Sequence, residues 1–344
     1  MKVAIYGAGA IGGWMGVRLA QAGCEVGVVA RGATLEALQM HGLRLEGPPA
    51  VRPELGEGLA RASTSSARTE LMSVPVRSSA DPAQLGVQDL VLVAVKAPAM
   101  ADVAKAIGPL LGPDTIVLTA MNGVPWWFFE GFGDKYAGTR LKAVDPEGAI
   151  ADAIPAHHII GCVVHASCSL NGPGFVRQHF GNKLIVGEPS GEKTARVRQL
   201  VALLEQAGFE TVLSDQIQKD AWYKLWGNMT VNPVSAMTGA TTDLIMGDEL
   251  VRGFISKVML EAREIGFRIG IPIEQQPQDR HQVTRKLGAF KTSMLQDVEA
   301  GKPVELDALV TVVKELGELT GVPTPFTDAL LGLARLHARV HGLY

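Results

Sequence analysis

The feature that most limits what this chain can fold into stands near its start. Gly7-Ala8-Gly9-Ala10-Ile11-Gly12 follows directly on an apolar stretch, residues 3–6, and leads into a helical pattern over residues 11–22. Strand, glycine turn and helix in that order open a βαβ unit, which turns a common glycine pattern into a specific one. Gly7 permits the tight turn, Gly9 lets the backbone come close to a pyrophosphate, and Gly12 lets the helix pack against the strand. A helix N-terminus offers free N–H groups and the positive end of its dipole to phosphates. The whole stretch, with Ala8, Ala10 and Ile11 between the glycines, is the expected dinucleotide cradle.

The rest of the first half supports a mostly parallel sheet. Residues 25–30 read as a second strand, and residues 89–95 and 115–121 are continuous apolar runs, as expected of central strands covered on both faces. Residues 159–167, 175–179 and 183–186 read as further strands, with Asn171-Gly172-Pro173-Gly174 a strong turn signal between the first two. From about Asp215 long helical patterns take over. One is the apolar series Leu306, Leu309, Val310, Val313, Leu316 before the stop Gly321-Val322-Pro323. The expected architecture is an α/β Rossmann-type domain over residues 1–213 and an all-helical domain over residues 214–344. Residues 48–69, rich in Pro, Gly, Ala and Ser, show no period and read as a surface loop.

Three further positions follow from this layout. In NAD-preferring sites an acidic residue at the end of the second strand bonds the ribose 2′-hydroxyl; here Arg31 stands there. A guanidinium suits a 2′-phosphate, so NADPH is expected over NADH. Lys96 and Asn122 close the two central strands at the edge where open α/β sheets bind ligands, within reach of the cofactor.

The helix around residues 220–233 carries polar residues spaced by four. At about 100° per residue, Lys224, Asn228 and Asn232 form one row able to line a cleft. Pro233 removes a backbone hydrogen bond and is expected to kink or end the helix.

At this point the sequence resembles the ketopantoate reductase family over nearly its whole length. The resemblance rests on the Gly7 to Gly12 loop, on Lys224-Leu225-Trp226-Gly227-Asn228 through Asn232-Pro233, and on Ser293-Met294-Leu295-Gln296-Asp297 followed by Glu305-Leu306-Asp307. It implies a Rossmann domain joined to a helical domain of the 6-phosphogluconate dehydrogenase C-terminal type, with the active site in the cleft between them. It makes Lys224 the general acid that protonates the carbonyl oxygen as NADPH delivers hydride. It makes Asn228, Asn232 and Ser293 substrate-binding residues and associates Glu305 with both substrate and cofactor. It adds Lys96, Asn122 and Ser167 to the cofactor contacts. Pro303 is expected in the first turn of a new helix, where the dipole would stabilise Glu305 as an anion. The chain departs from the family pattern in the length of residues 48–69, in Thr242, where some members place an asparagine, and in Ala308-Leu309.

The implied activity is reduction of a small 2-keto acid, ketopantoate first. A related keto acid reductase, an opine-type dehydrogenase and a non-catalytic NADPH-sensing protein remain as alternatives. A net charge of -3 without blocks of like charge gives no footprint for nucleic acid or membrane surfaces. No apolar stretch reaches the roughly 18 residues of a membrane span. Cys24, Cys162 and Cys168 show no metal-ligand spacing and suit buried thiols in a reducing compartment, so the expected location is cytoplasmic, with no metal. The oligomeric state is open, a homodimer among the options.

Overall fold

The computed structural model describes residues 1–48 and 70–344, so apart from Pro48 the expected surface loop lies outside the described residues. The described chain forms two compact units. The first comprises Met1–Val95, Ala99–Met121 and Asp152–Ile217, and the second Lys96–Pro98, Asn122–Ala151 and Gln218–Tyr344. The division is therefore not one cut near residue 213. Two loops that follow strands of the first unit belong to the second, where Lys96 and Asn122 bond to residues of its helices and Ala97 to Glu305.

The first unit opens with β1 (Lys2–Tyr6), α1 (Ala10–Gln21), β2 (Glu25–Val29), α2 (Gly32–His41), β3 (Leu43–Gly47), β4 (Glu70–Val74), β5 (Arg77–Ser79) and β6 (Leu90–Val93). It continues with α3 (Met100–Ala106) and β7 (Ile116–Thr119). The chain returns through the short α4 (Ala149–Ala153) to β8 (Ile159–Leu170), β9 (Phe175–Gly187), α5 (Ala195–Gln206) and β10 (Glu210–Leu213). The strands form one sheet in the order β4-β3-β9-β8-β7-β6-β1-β2-β5, with β10 paired to β9. From β5 through β8 every pairing is parallel. The registers Tyr6↔Val29, Tyr6↔Val93 and Val93↔Thr119 align the carboxyl ends of four strands along one edge.

Every residue of β6 and β7 is buried, which is why these strands read as unbroken apolar runs. The two short strands expected at 175–179 and 183–186 are one strand, β9, antiparallel to β8. A register shift around Ser167 absorbs the irregularity that made the sequence look interrupted. Of the cysteines, Cys162 is buried while Cys24 and Cys168 are part-buried, and burial pushes the Cys168 thiol up to about 12.

The second unit is helical: α6 (Ile217–Thr238, whose first residue belongs to the first unit), α7 (Thr242–Gly247), α8 (Glu249–Arg268), α9 (Pro277–Arg285), α10 (Ser293–Glu299), α11 (Val312–Thr320) and α12 (Pro325–Val340). α6 does not end at Pro233; it runs to Thr238. Residues 229 to 236 are all buried, and packing around the helix offsets the ladder bond that proline removes. Trp222, Trp226 and Met229 of α6 join Val258, Met259 and Ala262 of α8 in one core. The Trp226 indole N–H donates to the Met259 carbonyl at 2.7 Å. The apolar series before Gly321 begins with a wider π turn, Asp307–Thr311, and continues as α11. Gly321 closes it in the left-handed conformation.

Candidate active site

In the first unit the three glycines of the loop stand in different surroundings. Gly7 has φ +105°, and a methyl group on it would stand 2.8 Å from Val95 Cγ1 and 2.9 Å from Val95 N. A methyl group on Gly12 would run into the Gly7 carbonyl, with Ile5 Cγ2 at 3.1 Å. A methyl group on Gly9 would meet nothing within 4 Å, so the space on that side is open. Gly9 is the N-cap of α1 and supplies no side-chain cap, so the first-turn N–H groups of Ala10, Ile11 and Gly12 are left for another acceptor. Open space beside uncapped donors fits the pyrophosphate of a dinucleotide.

Arg31, two residues past β2, is the N-cap of α2, and its guanidinium lies 3.9 Å from Asp102, both side chains being exposed. Tyr6, the last residue of β1, buries its hydroxyl without a hydrogen-bond partner. That desolvation pushes its pKa up, against the pull of the Arg31 charge. Ser167 sits at the β8 irregularity, half-buried.

In the second unit three pairs of residues distant in sequence meet. Lys224 Nζ donates to Asn122 Oδ1 at 2.8 Å. The Ala97 backbone N–H donates to Glu305 Oε1 at 3.0 Å. Lys96 Nζ forms an ion pair with Asp297. Burial raises the pKa of Glu305, opposed by the Ala97 N–H and by the charges of Lys96 and Lys224, while Asp297 adds to the rise. Burial likewise raises Asp297, and the bond and charge of Lys96 oppose it. Two carboxyls and two ammonium groups thus share one electrostatic neighbourhood, with Asn122 fixing one of the ammoniums.

Asn228 and Asn232 continue the Lys224 row along α6, the first half-buried and the second buried. Ser293, at the first position of α10, is exposed; its neighbour Thr292 caps the helix by accepting from the Leu295 N–H. Pro303 and Glu305 precede the helix rather than forming its first turn, since helical structure begins at Leu306. The Ala97 N–H, not a helix dipole acting within the turn, is the bond that holds Glu305. Thr242 is buried, and its hydroxyl donates to the Gly288 carbonyl at 2.6 Å, a structural use. Ala308 has a steric reason to be small: its carbonyl accepts from the Val124 N–H at 2.9 Å, and a methyl group on Gly123 would stand 2.7 Å from the Ala308 Cβ.

Asp297 and the Ala97 N–H were not assigned a part by sequence reasoning. Asp297 carried a signal, lying four residues after Ser293 and hence near it on a helical surface. A backbone N–H carries none.

A mostly parallel sheet with a glycine-turn cradle, together with a helical unit that gathers lysines, carboxylates and an asparagine, defines a dinucleotide-dependent oxidoreductase. The chain belongs to the ketopantoate reductase family. The family model described as "Ketopantoate reductase PanE/ApbA" matches residues 3–191, and its C-terminal counterpart matches residues 216–338. A 2-dehydropantoate 2-reductase of Mesorhizobium japonicum is 43% identical, with 100% of each chain covered. A crystal structure of a protein from Ralstonia solanacearum MolK2, named for ketopantoate reductase, is 52% identical with a TM-score of 0.89, covering 100% of this chain and 99% of that one. D-mandelate dehydrogenase, solved with NADH and anilino(oxo)acetate, shares the fold at 19% identity, with a TM-score of 0.80 and 100% of each chain covered.

Proposed function

We propose that this chain is an NADPH-dependent 2-keto acid reductase acting on 2-dehydropantoate. The observation that carries the reading is the Lys224 ammonium held at 2.8 Å by Asn122 Oδ1, heading the row of Asn228 and Asn232. Reduced nicotinamide, when bound, supplies the hydride that becomes the new C–H bond at the carbonyl carbon. The Lys224 ammonium donates to the carbonyl oxygen, stabilises the negative charge that builds there, and transfers the proton that completes the alcohol. The Asn122 bond orients Lys224 toward that task, and Glu305 lies within the field of the ammonium. The amides of Asn228 and Asn232 can donate to the substrate carboxylate or accept from a hydroxyl without adding charge. Ser293 can add a hydroxyl donor.

The choice of NADPH rests on Arg31, an exposed guanidinium at the end of β2 where a 2′-phosphate would lie. The choice of 2-dehydropantoate rests on the family and on the full-length similarity to the Mesorhizobium japonicum enzyme. The test is steady-state oxidation of NADPH with 2-dehydropantoate and a panel of other 2-keto acids, with and without an added amine. Lys224→Ala should lower kcat by about 10²-fold or more while NADPH affinity holds. Near-normal turnover in that variant removes Lys224 as the acid, and an absolute requirement for an amine replaces the reading with an opine-type condensation.

A further inference from the structure

On α9, Arg280 lays its guanidinium across α6. A methyl group on Gly227 would stand 2.5 Å from Arg280 Nε and 2.7 Å from Nη2, so only glycine leaves room for the guanidinium there. Its Cζ lies 5.3 Å from the centre of the Tyr223 ring, a cation–π stack. Among the described residues the Arg280 guanidinium has no hydrogen-bond or ion-pair partner. Its Nε is buried and unsatisfied, while the Nη nitrogens are not fully enclosed.

A guanidinium fixed in place without an anion is unusual, since partly buried charges are ordinarily paired. Gly227 follows Lys224 by three positions, so their α-carbons are helical neighbours about 5–6 Å apart on adjoining faces. Asn228 is the next residue. Arg280 therefore lies against the helix that carries Lys224, within one turn of it. A 2-keto acid, whose carboxylate is bonded directly to the carbonyl carbon, offers an anion and an electrophile side by side.

We propose that Arg280 is a specificity residue that selects a carboxylate next to the reacting carbonyl. Gly227 and Tyr223 hold its planar fork in place, so that it can receive the acid's oxygens through charge-assisted bonds while Lys224 meets the keto oxygen. This inference rests on the proposed 2-keto acid reduction.

The test compares a 2-keto acid with its methyl ester, identical except for the anion, in wild type, Arg280→Gln, Arg280→Lys and Gly227→Ala. Arg280→Gln should lower kcat/KM for the acid by roughly 10- to 100-fold, mainly through KM, and change that of the ester by less than about threefold. Arg280→Lys should restore only part of the preference, and Gly227→Ala should reproduce the loss with the guanidinium still present. Added methylguanidine should rescue Arg280→Ala for the acid alone. An equal fall for acid and ester, or an unchanged acid-to-ester ratio, overturns the proposal and leaves Arg280 a packing residue. If wild type reduces neither compound, the reductase reading fails. Binding of a non-reducible 2-hydroxy acid, measured by calorimetry, then decides the matter for Arg280: binding lost in Arg280→Gln supports carboxylate recognition, and binding unchanged refutes it.

Discussion

Gly9→Ala should separate folding from cofactor binding. Gly9 is in extended backbone, φ -76° and ψ -166°, which alanine adopts without strain. The added methyl group meets nothing within 4 Å. Alanine is a poorer N-cap than glycine by roughly 0.5–1 kcal/mol, and removing a glycine from the unfolded chain returns about 0.4–1 kcal/mol. The two nearly cancel, so the melting temperature should stay within about 2 °C of wild type. Binding should respond differently, because the methyl group fills the space a pyrophosphate needs. Forcing one extra carbon into a packed contact costs about 1–3 kcal/mol, or roughly 5- to 150-fold in Kd. Gly12→Ala is the control: its methyl group meets the rigid Gly7 carbonyl, so stability and affinity should fall together. Calorimetric melts and fluorescence titration with NADPH read the two quantities. A Gly9→Ala protein that binds NADPH as tightly as wild type would refute the placement of the phosphates over Gly9.

Arg31→Ala should weaken NADPH by roughly 10- to 100-fold and NADH by less than about threefold; equal losses would remove Arg31 from 2′-phosphate recognition. Lys96→Met leaves the buried Asp297 without its cation and should destabilise by about 1–2 kcal/mol at neutral pH, a buried-pair loss discounted for the part-exposed lysine. Because the Asp297 pKa is already raised by burial, that deficit should shrink in acid, where the carboxyl takes up a proton; melts at several pH values check this. Glu305→Gln removes a carboxyl that folding shifts upward, so the stability wild type holds below the ordinary carboxylate range and loses as pH rises through the folded value is not lost in the variant. The glutamine protein should melt above wild type at neutral pH and level with it in acid. It should turn over about tenfold or more slowly, because an amide does not attract the Lys224 ammonium.

The parts of the fold legible in the sequence are those set by local pattern. β1, the glycine turn and α1 follow from three glycines and an apolar period, and β6 and β7 from unbroken hydrophobic runs. The pairing of β3 between β9 and β4 was not legible, because nothing within Leu43–Gly47 says which distant strand it meets. α6 passing through Pro233 contradicts local propensity, and tertiary packing overrides it. In the site, spacing alone put Lys224, Asn228 and Asn232 in a row, and strand ends pointed to Lys96 and Asn122. Two neighbours were hidden for different reasons: the Ala97 N–H that holds Glu305 has no side-chain identity, and Arg280 packs against Gly227 on another helix.

The three bonds that assemble the lysine and carboxylate cluster join residues 102, 201 and 208 positions apart. Closing such loops is thermodynamically mild, since each doubling of length adds only about 0.6 kcal/mol, but it is slow, because distant segments must find each other first. The glycine cradle, by contrast, matures within a single local crossover. Pulse-labelled amide exchange during refolding should therefore see α1 protected ahead of the backbone around Ala97.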